Sequence, residues 1–354
     1  MLTLPGTSPA WRLAFLPPRD APADPAAPVE ELALSRRNRA SVEVWSLATG
    51  RIVERLKLPK GAKAITDLAA RPMVPGHVGE RLASDIDLLA VTASGQLFGW
   101  NRKRQRVIEH VHLGSGVGLS GGRVALSPCG GWAYGFGAVV SRMAARNAHV
   151  WSSLQSIELP LGRPGQRISR PGSGGEHMAL GGPPGRLRLA VNASFTEVLV
   201  IDGDELQTRE RGKEAAIHQV VDDRRLMDVA VCPQGSFVAT LGEEMIAVTP
   251  LSRSLASPTG QELVDGIAEP WGLECPDWNG GHLRVAAHPE DYGFGSALLF
   301  GSPDGELRMY DAETGDELGA FDFGHAGTMA LATAPAARLN ATADAKGVVT
   351  VWEV

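Results

Sequence analysis

A strand-like segment ending in proline occurs seven times along the chain, and this repetition constrains the fold more than any other sequence feature. Each copy is rich in apolar residues, as a β-strand is when its neighbours cover it. Successive copies lie 46 to 56 residues apart. Such a period indicates a propeller or an array of stacked units, because one unit alone cannot bury its apolar surface. The seven prolines are Pro17, Pro72, Pro128, Pro183, Pro233, Pro289 and Pro335.

The stretch Ala297–Phe321 shows what one unit contains. The segments ALLFGS, ELRMYD and ELGAF have strand propensity, and the turn sequences SPDG and AETGD separate them. Gly315 can supply a positive φ in the second turn. A three-stranded meander leaves apolar surface uncovered, so neighbours of the same kind are expected.

Three segments carry a resemblance to a known family. SPDGELRMYD followed by AETG is similar to the end of a WD40-type repeat, with Tyr310 at the usual tryptophan position, and Ser41–Arg51 and Gly347–Val354 look like the same piece. The resemblance implies an all-β, seven-bladed propeller. It also implies that an N-terminal strand, here Met1–Leu4, completes the last blade and closes the ring.

The repeat predicts that the whole chain is one propeller domain. The approximate blade ranges are 8–60, 62–115, 117–163, 175–213, 225–258, 280–323, and 326–354 together with 1–6.

Composition narrows the class of protein. The chain of 354 residues has a net charge of −6, which argues against a general nucleic-acid binder. It has no apolar run long enough for a membrane span and no signal-peptide pattern. Its three cysteines cannot all form disulfides with one another and are interpreted as reduced thiols. We therefore expect a cytoplasmic protein. Peripheral membrane contact stays open. Abundant Ala, Arg, Gly and Pro with few Lys favour a bacterial source.

The position five residues before each repeat proline is unusually charged. If the first strand of each blade lines a central channel, these side chains form a ring near one mouth. Three arginines and two aspartates there would either neutralise one another as ion pairs or bind an anionic ligand or acidic peptide. The charged members are Arg12, Asp67, Arg123, Asp228 and Arg284.

Two other groups are candidate sites. Trp271 and Trp278 lie in a long loop flanked by Pro and Gly, where they would anchor a partner protein or fold back on their own blade. The WD40 resemblance implies a buried structural hydrogen-bond network, to which we assign Ser302, Asp304, Tyr310 and His325, with Lys346 standing where the family places an aspartate.

The sequence favours a non-enzymatic protein–protein interaction scaffold within a larger assembly. No H-E-x-x-H, P-loop or paired CxxC motif is present, and no catalytic residue, metal or cofactor is assigned. The alternative is a ligand-binding or hydrolytic propeller that uses the charged mouth. A subunit of a membrane-bound or virus-like machine is a third possibility.

Overall fold

The structure is a computed structural model of the full chain. The residues that it describes are 1–6, 8–18, 28–71, 86–102, 106–112, 119–126, 132–140, 150–158, 163–171, 178–181, 187–192, 198–203, 213–215, 226–243, 245–251, 271–274, 281–290 and 296–354.

The described residues form seven antiparallel sheets of four strands each. We number the sheets 1 to 7 in chain order. The first strand of the chain, β1 (Leu2–Leu4), is the exception to this order, because it belongs to sheet 7 with the last three strands. The prediction of an all-β chain is confirmed.

Sheet 1 contains β2 (Ala10–Leu16), β3 (Glu31–Arg36), β4 (Ser41–Ser46) and β5 (Arg51–Lys57). Sheet 2 contains β6 (Ile65–Ala70), β7 (Leu88–Thr92), β8 (Gln96–Asn101) and β9 (Arg106–His112). Sheet 3 contains β10 (Leu119–Leu126), β11 (Trp132–Val140), β12 (Val150–Glu158) and β13 (Arg163–Pro171). Sheet 4 contains β14 (Met178–Gly181), β15 (Leu187–Asn192), β16 (Val198–Gly203) and β17 (Lys213–Ala215).

The remaining three sheets follow the same order along the chain. Sheet 5 contains β18 (Asp228–Val231), β19 (Phe237–Leu241), β20 (Met245–Pro250) and β21 (Trp271–Glu274). Sheet 6 contains β22 (His282–Ala286), β23 (Ala297–Gly301), β24 (Leu307–Asp311) and β25 (Glu317–Phe321). Sheet 7 contains β26 (Thr328–Ala334), β27 (Leu339–Asp344) and β28 (Val349–Glu353), and a 3₁₀ turn, η1 (Pro335–Ala337), joins β26 to β27.

The turns of sheet 6 match the sequence prediction. β23, β24 and β25 are the three predicted strands, and the Ser302–Gly305 turn joins the first two. Gly305 has a φ of +98°, and a Cβ there would collide with the backbone carbonyl of His325. Glycine is therefore required at this turn for both its conformation and its size.

The first strands of the seven sheets pack against one another in a cyclic order. Each contacts the first strand of the next sheet along the chain, and β26 of sheet 7 contacts β2 of sheet 1. Residues from all seven first strands line one common cavity of about 340 Å³. Since each first strand lies at the end of its sheet, its free edge is directed toward this cavity.

The hydrophobic core lies between neighbouring sheets. Leu68 of sheet 2, for example, packs in one cluster with Leu16 and Leu56 of sheet 1. Further clusters fill the spaces between sheets 2 and 3, 5 and 6, 6 and 7, and 7 and 1. Both faces of the central strands are therefore covered, which explains their nearly continuous apolar sequences.

The N-terminal strand joins the two ends of the chain. β1 pairs antiparallel with β28, with Leu2 opposite Val351, and confirms the pairing predicted for Met1–Leu4. Leu4 is fully buried in the cluster between sheets 7 and 1. Arg36 of sheet 1 donates hydrogen bonds to the carbonyls of Ser8 (2.6 Å) and Gly347 (3.3 Å), which ties the N-terminal segment to the last turn of sheet 7.

Two predicted blade ranges end before the fourth strand, and a third, 175–213, stops inside β17. In sheet 3 the predicted range ends at position 163, where the fourth strand, β13, begins in a Gly/Pro/Arg-rich segment. In sheet 5 the fourth strand is β21, beyond position 258. Both strands lack the apolar pattern of the inner strands, so sequence patterning assigned them to connectors.

None of the helical segments among the described residues has the length and apolarity needed to cross a membrane.

Candidate functional site

The five charged residues predicted to surround a channel mouth lie on five of the first strands and line the common cavity. We call Arg12, Asp67, Arg123, Asp228 and Arg284 the mouth cluster. They belong to β2, β6, β10, β18 and β22 respectively. The structure therefore brings together residues that are separated by as many as 272 positions in the sequence.

Backbone bulges set the direction of some of these side chains. The pairing of β2 with β3 and of β6 with β7 shifts by one residue immediately before Arg12 and Asp67. The same shift precedes Ala330, which occupies the equivalent position in β26. A β-bulge bends the strand and re-aims the following side chain, so the bulges explain why a charged residue in an apolar strand can reach the cavity.

Asp67 connects three consecutive sheets. One carboxylate oxygen accepts a hydrogen bond from Nε of Arg12 in sheet 1 at 2.9 Å. The other oxygen accepts a hydrogen bond from the backbone N–H of Val124 in sheet 3 at 3.0 Å. The carboxylate is therefore fully engaged with its neighbours.

Asp228 has the corresponding role between sheets 5 and 6. Its Oδ2 accepts hydrogen bonds from Nη1 of Arg284 (2.8 Å) and from the N–H of Leu283 (3.0 Å). Its Oδ1 accepts the N–H of Val229 at 2.9 Å. The recurrence of this arrangement indicates that the two aspartates mainly hold adjacent sheets in register, as charge-assisted hydrogen bonds do when they are buried.

Arg123 gives the mouth cluster a surplus positive charge. The other two arginines each pair with an aspartate, whereas Arg123 forms no hydrogen bond or ion pair with any residue that the structure describes. Burial, followed by the positive charge of Arg123, lowers the pKa of Arg12 to about 10, although Asp67 partly opposes this shift. The guanidinium groups therefore repel one another across the cavity.

His282 is a member of the site that the sequence analysis missed. It lies two residues before Arg284 on β22, lines the cavity, and has Nδ1 3.9 Å from the Asp228 carboxylate. Its pKa is lowered to about 4, mainly by burial. The negative charge of Asp228 raises this pKa, and the positive charges of Arg284, Arg12 and Arg123 lower it. His282 is therefore neutral at pH 7. The signal was its i−2 spacing from Arg284, which places both side chains on one face of a strand.

Trp11 also lies beside the site. The guanidinium carbon of Arg12 lies 5.0 Å from the centre of the Trp11 ring, and that of Arg37 lies 5.6 Å from it. Arg12 additionally donates a hydrogen bond to the Trp11 carbonyl at 2.8 Å. This stacking fixes the direction of the Arg12 guanidinium.

The predicted partner-binding loop has to be corrected at Trp271. Trp271 begins β21, the outer strand of sheet 5, and packs against the core between sheets 5 and 6. Its indole N–H donates a hydrogen bond to the carbonyl of Ala312 at 2.9 Å, and its ring lies against the Gly315 turn. The residue thus folds back onto the protein, because a buried indole needs both packing and a hydrogen-bond acceptor. Trp278 lies outside the described residues.

Replacing Trp271 by Phe is expected to lower the free energy of unfolding by about 1 kcal/mol, the value of one lost hydrogen bond. Replacement by Ala should lower it by about 3 kcal/mol because packing is lost as well. Urea denaturation measures both changes. Val53→Ala is the control, since Val53 lies on an outer strand and is 52% exposed; equal effects of Trp271→Ala and Val53→Ala would contradict this role.

The predicted structural network is divided between two places. Ser302 and Tyr310 are buried in sheet 6, and Ser302 accepts the N–H of Glu306 through its hydroxyl at 3.0 Å. Asp304, in contrast, is exposed in the turn, so its assignment to a buried network is wrong. The turn places its third residue, Asp304, toward solvent, and Gly305 rather than Asp304 makes the close approach.

His325 lies in the connection between β25 and β26, and its partner is not at the expected position. Its Nδ1 lies 3.8 Å from the carboxylate of Asp344, and both side chains are buried. Asp344 also accepts the N–H of Val348 at 2.8 Å. The aspartate expected at position 346, where the chain has Lys346, is therefore supplied two residues earlier, at the end of β27.

Acid is expected to destabilise the protein through two histidines. The pKa of His282 is lowered to about 4 and that of His325 is lowered as well, in both cases mainly by burial. Below about pH 6.5 the unfolded chain takes up protons at these positions more readily than the folded chain, so the free energy of unfolding should fall from about pH 7 to about pH 5. Urea midpoints across this range measure the slope. The double variant His282→Gln/His325→Gln should show a smaller slope, and an unchanged slope would contradict the assignment.

Comparison with known proteins gives no family assignment for the chain. No protein-family model matches the chain, and no match was found among the curated proteins. Within the described residues, no three His, Cys, Asp or Glu side chains are grouped closely enough to hold a metal ion.

Proposed function

We propose that the seven sheets are the blades of one WD40-like β-propeller and that the protein is a non-enzymatic interaction scaffold within a larger assembly. The observation that carries the proposal is the cyclic packing of seven first strands around a common cavity. Pairing of β1 with β28 supports closure of the ring, because it joins both chain ends in one sheet. A rigid ring of this kind offers a fixed surface on which other proteins assemble.

The charges at the cavity support binding rather than hydrolysis. Both aspartates of the mouth cluster are occupied by guanidinium and backbone N–H groups. Neither is therefore free to activate water or to hold a cation without losing the contacts between sheets. The surplus charge of Arg123 favours an anion at the same place.

Affinity purification of the tagged protein from its native host, followed by quantitative mass spectrometry, tests the scaffold. We expect a defined set of partner proteins at near-stoichiometric amounts, and a tagged variant with Leu4→Asp should recover none of them. A protein that is recovered alone as a monomer and turns over a small molecule would contradict the proposal.

The second candidate function is a ligand-binding propeller that uses the same mouth for a small acid. It is favoured by a cavity of about 340 Å³, a volume within the range of small-molecule sites. Under this function, a small carboxylate would bind to the purified protein while no protein partner is recovered.

A further inference from the structure

We propose that the mouth cluster binds a single carboxylate group, presented by an acidic peptide segment of the partner, with Arg123 as its principal contact. The inference rests on the proposed scaffold function and specifies the chemistry by which the scaffold recognises its partner. Arg12 and Arg284 line the same cavity as Arg123.

The charge balance of the cavity favours a monoanion. Four guanidinium groups and two carboxylates line the cavity. Arg71 lies 4.0 Å from the carboxylate of Asp87, which balances its charge. Three guanidinium groups therefore remain for the two carboxylates of the mouth cluster, and His282 is neutral at pH 7. The described mouth therefore carries a surplus of one positive charge, although the whole chain has a net charge of −6. One carboxylate neutralises this surplus, whereas a phosphate dianion would leave an excess negative charge beside Asp67 and Asp228.

The geometry of the arginines also suits a carboxylate. A guanidinium can donate two parallel hydrogen bonds to the two oxygens of a carboxylate. Arg12 and Arg284 each use part of this capacity for an aspartate, and each also donates to the carbonyl of the preceding residue. Arg123 uses none of it toward the residues that the structure describes, so within that part of the chain its donors are available to a ligand.

The repulsion among the positive groups supports the same assignment. The positive charge of Arg123 disfavours the charged form of Arg12 and of His282. A surplus charge that repels its neighbours brings no stability to the fold, and such arrangements are concentrated at functional sites. A bound carboxylate would relieve the repulsion, because it places a negative charge between the guanidinium groups.

A peptide fits the surroundings better than an apolar ligand. Each first strand is the edge of its sheet, so the cavity wall contains backbone groups as well as small side chains such as Ala14 and Ala332. Backbone N–H and C=O groups at a strand edge pair readily with an extended chain. The wall can therefore hold the backbone of an acidic segment while Arg123 holds its carboxylate.

A fluorescein-labelled hexaglutamate peptide tests the proposal by fluorescence anisotropy with the purified full chain. We expect saturable binding of this peptide. Acetate, a monocarboxylate, should displace the peptide more effectively than inorganic phosphate does, and binding should weaken as salt is raised from about 0.05 to about 0.5 M. Arg123→Gln should weaken binding by about tenfold or more, and Arg123→Lys by less, since a lysine retains the charge but not the fork. Arg51→Gln is the matched control: it removes one positive charge at the exposed outer strand of sheet 1, and it should leave binding unchanged.

Stability measurements separate a binding defect from a folding defect. Because Arg123 has no partner among the described residues and repels Arg12, Arg123→Gln should melt at the same temperature as the unchanged protein or slightly above it. Equal weakening by Arg123→Gln and Arg51→Gln, tighter binding of phosphate than of acetate, or no saturable binding would overturn the proposal. Partner recovery without carboxylate binding would overturn this inference and leave the scaffold standing. Acetate binding through Arg123 without any protein partner would instead refute the scaffold and the peptide source while retaining the carboxylate site.

Discussion

Replacing Leu4 by Asp is expected to abolish cooperative folding under conditions in which the unchanged protein is folded. Leu4 is fully buried in β1, where it packs in the cluster that joins sheets 7 and 1. Loss of a buried leucine side chain costs about 2–5 kcal/mol, and an unpaired buried carboxylate adds several more. Together these costs approach the whole stability of a typical domain, which is about 5–15 kcal/mol.

The neighbouring residue provides the control. Thr3 lies on the same strand but is exposed, so Thr3→Asp introduces the same charge outside the core. We expect it to change the free energy of unfolding by less than about 0.5 kcal/mol, as surface substitutions generally do. Urea denaturation followed by tryptophan fluorescence distinguishes the two variants. If both unfolded at the same urea concentration as the unchanged protein, β1 would have no part in closing the chain.

Replacing Asp228 by Ala is expected to lower the free energy of unfolding by about 3 kcal/mol. The substitution removes an acceptor from Arg284 and from the N–H of Leu283, and it therefore breaks a contact between sheets 5 and 6. Removing one partner of a largely buried ion pair costs about 3–5 kcal/mol. We place the effect at the lower end because the Arg284 side chain is 34% exposed and water can partly replace the carboxylate.

An exposed aspartate again provides the control. Asp304→Ala should change the free energy of unfolding by less than about 0.5 kcal/mol, since this side chain lies in a solvent-exposed turn. Adding Arg284→Leu to Asp228→Ala should recover part of the loss, because no buried charge is then left unpaired. Equal effects of Asp228→Ala and Asp304→Ala in urea denaturation would refute the role of Asp228 between the sheets.

The repeat architecture was predictable from sequence because it depends on local patterns. The seven apolar strands ending in proline mark the first strand of each sheet, and counting back from each proline locates the mouth cluster. Pairing of Arg12 with Asp67 and of Asp228 with Arg284 matches the predicted ion pairs between neighbouring units. A fixed offset within a repeat places equivalent residues at equivalent points in space.

The surplus positive charge of Arg123 could not be predicted from the sequence. Five alternating charges along a chain are compatible with complete pairing or with one residue left over. The choice depends on which neighbours the two aspartates contact, and Asp67 uses its second oxygen for the N–H of Val124 rather than for the Arg123 side chain. Bulges and strand register decide whether a backbone N–H or an arginine side chain donates to a carboxylate. Side-chain patterns in the sequence do not show where bulges lie or how the strands are aligned.

Outer strands were the least predictable elements. β21 alternates half-buried and exposed residues over only four positions and carries Trp271 at its first position. So short a segment with a large aromatic between Pro and Gly resembles an exposed loop. Its strand character comes from pairing with β20 and from contact with sheet 6, and both are tertiary effects.

The most direct test of this account compares partner recovery from the native host by three tagged proteins: the unchanged chain, Arg123→Gln and Arg51→Gln. Quantitative mass spectrometry of each affinity-purified sample gives the ratio of partner to tagged protein. The account predicts that Arg51→Gln recovers the partners at the unchanged ratio, whereas Arg123→Gln loses about tenfold or more. Partner recovery that is the same for both variants would show that binding does not depend on the surplus charge at the mouth, and it would contradict the account.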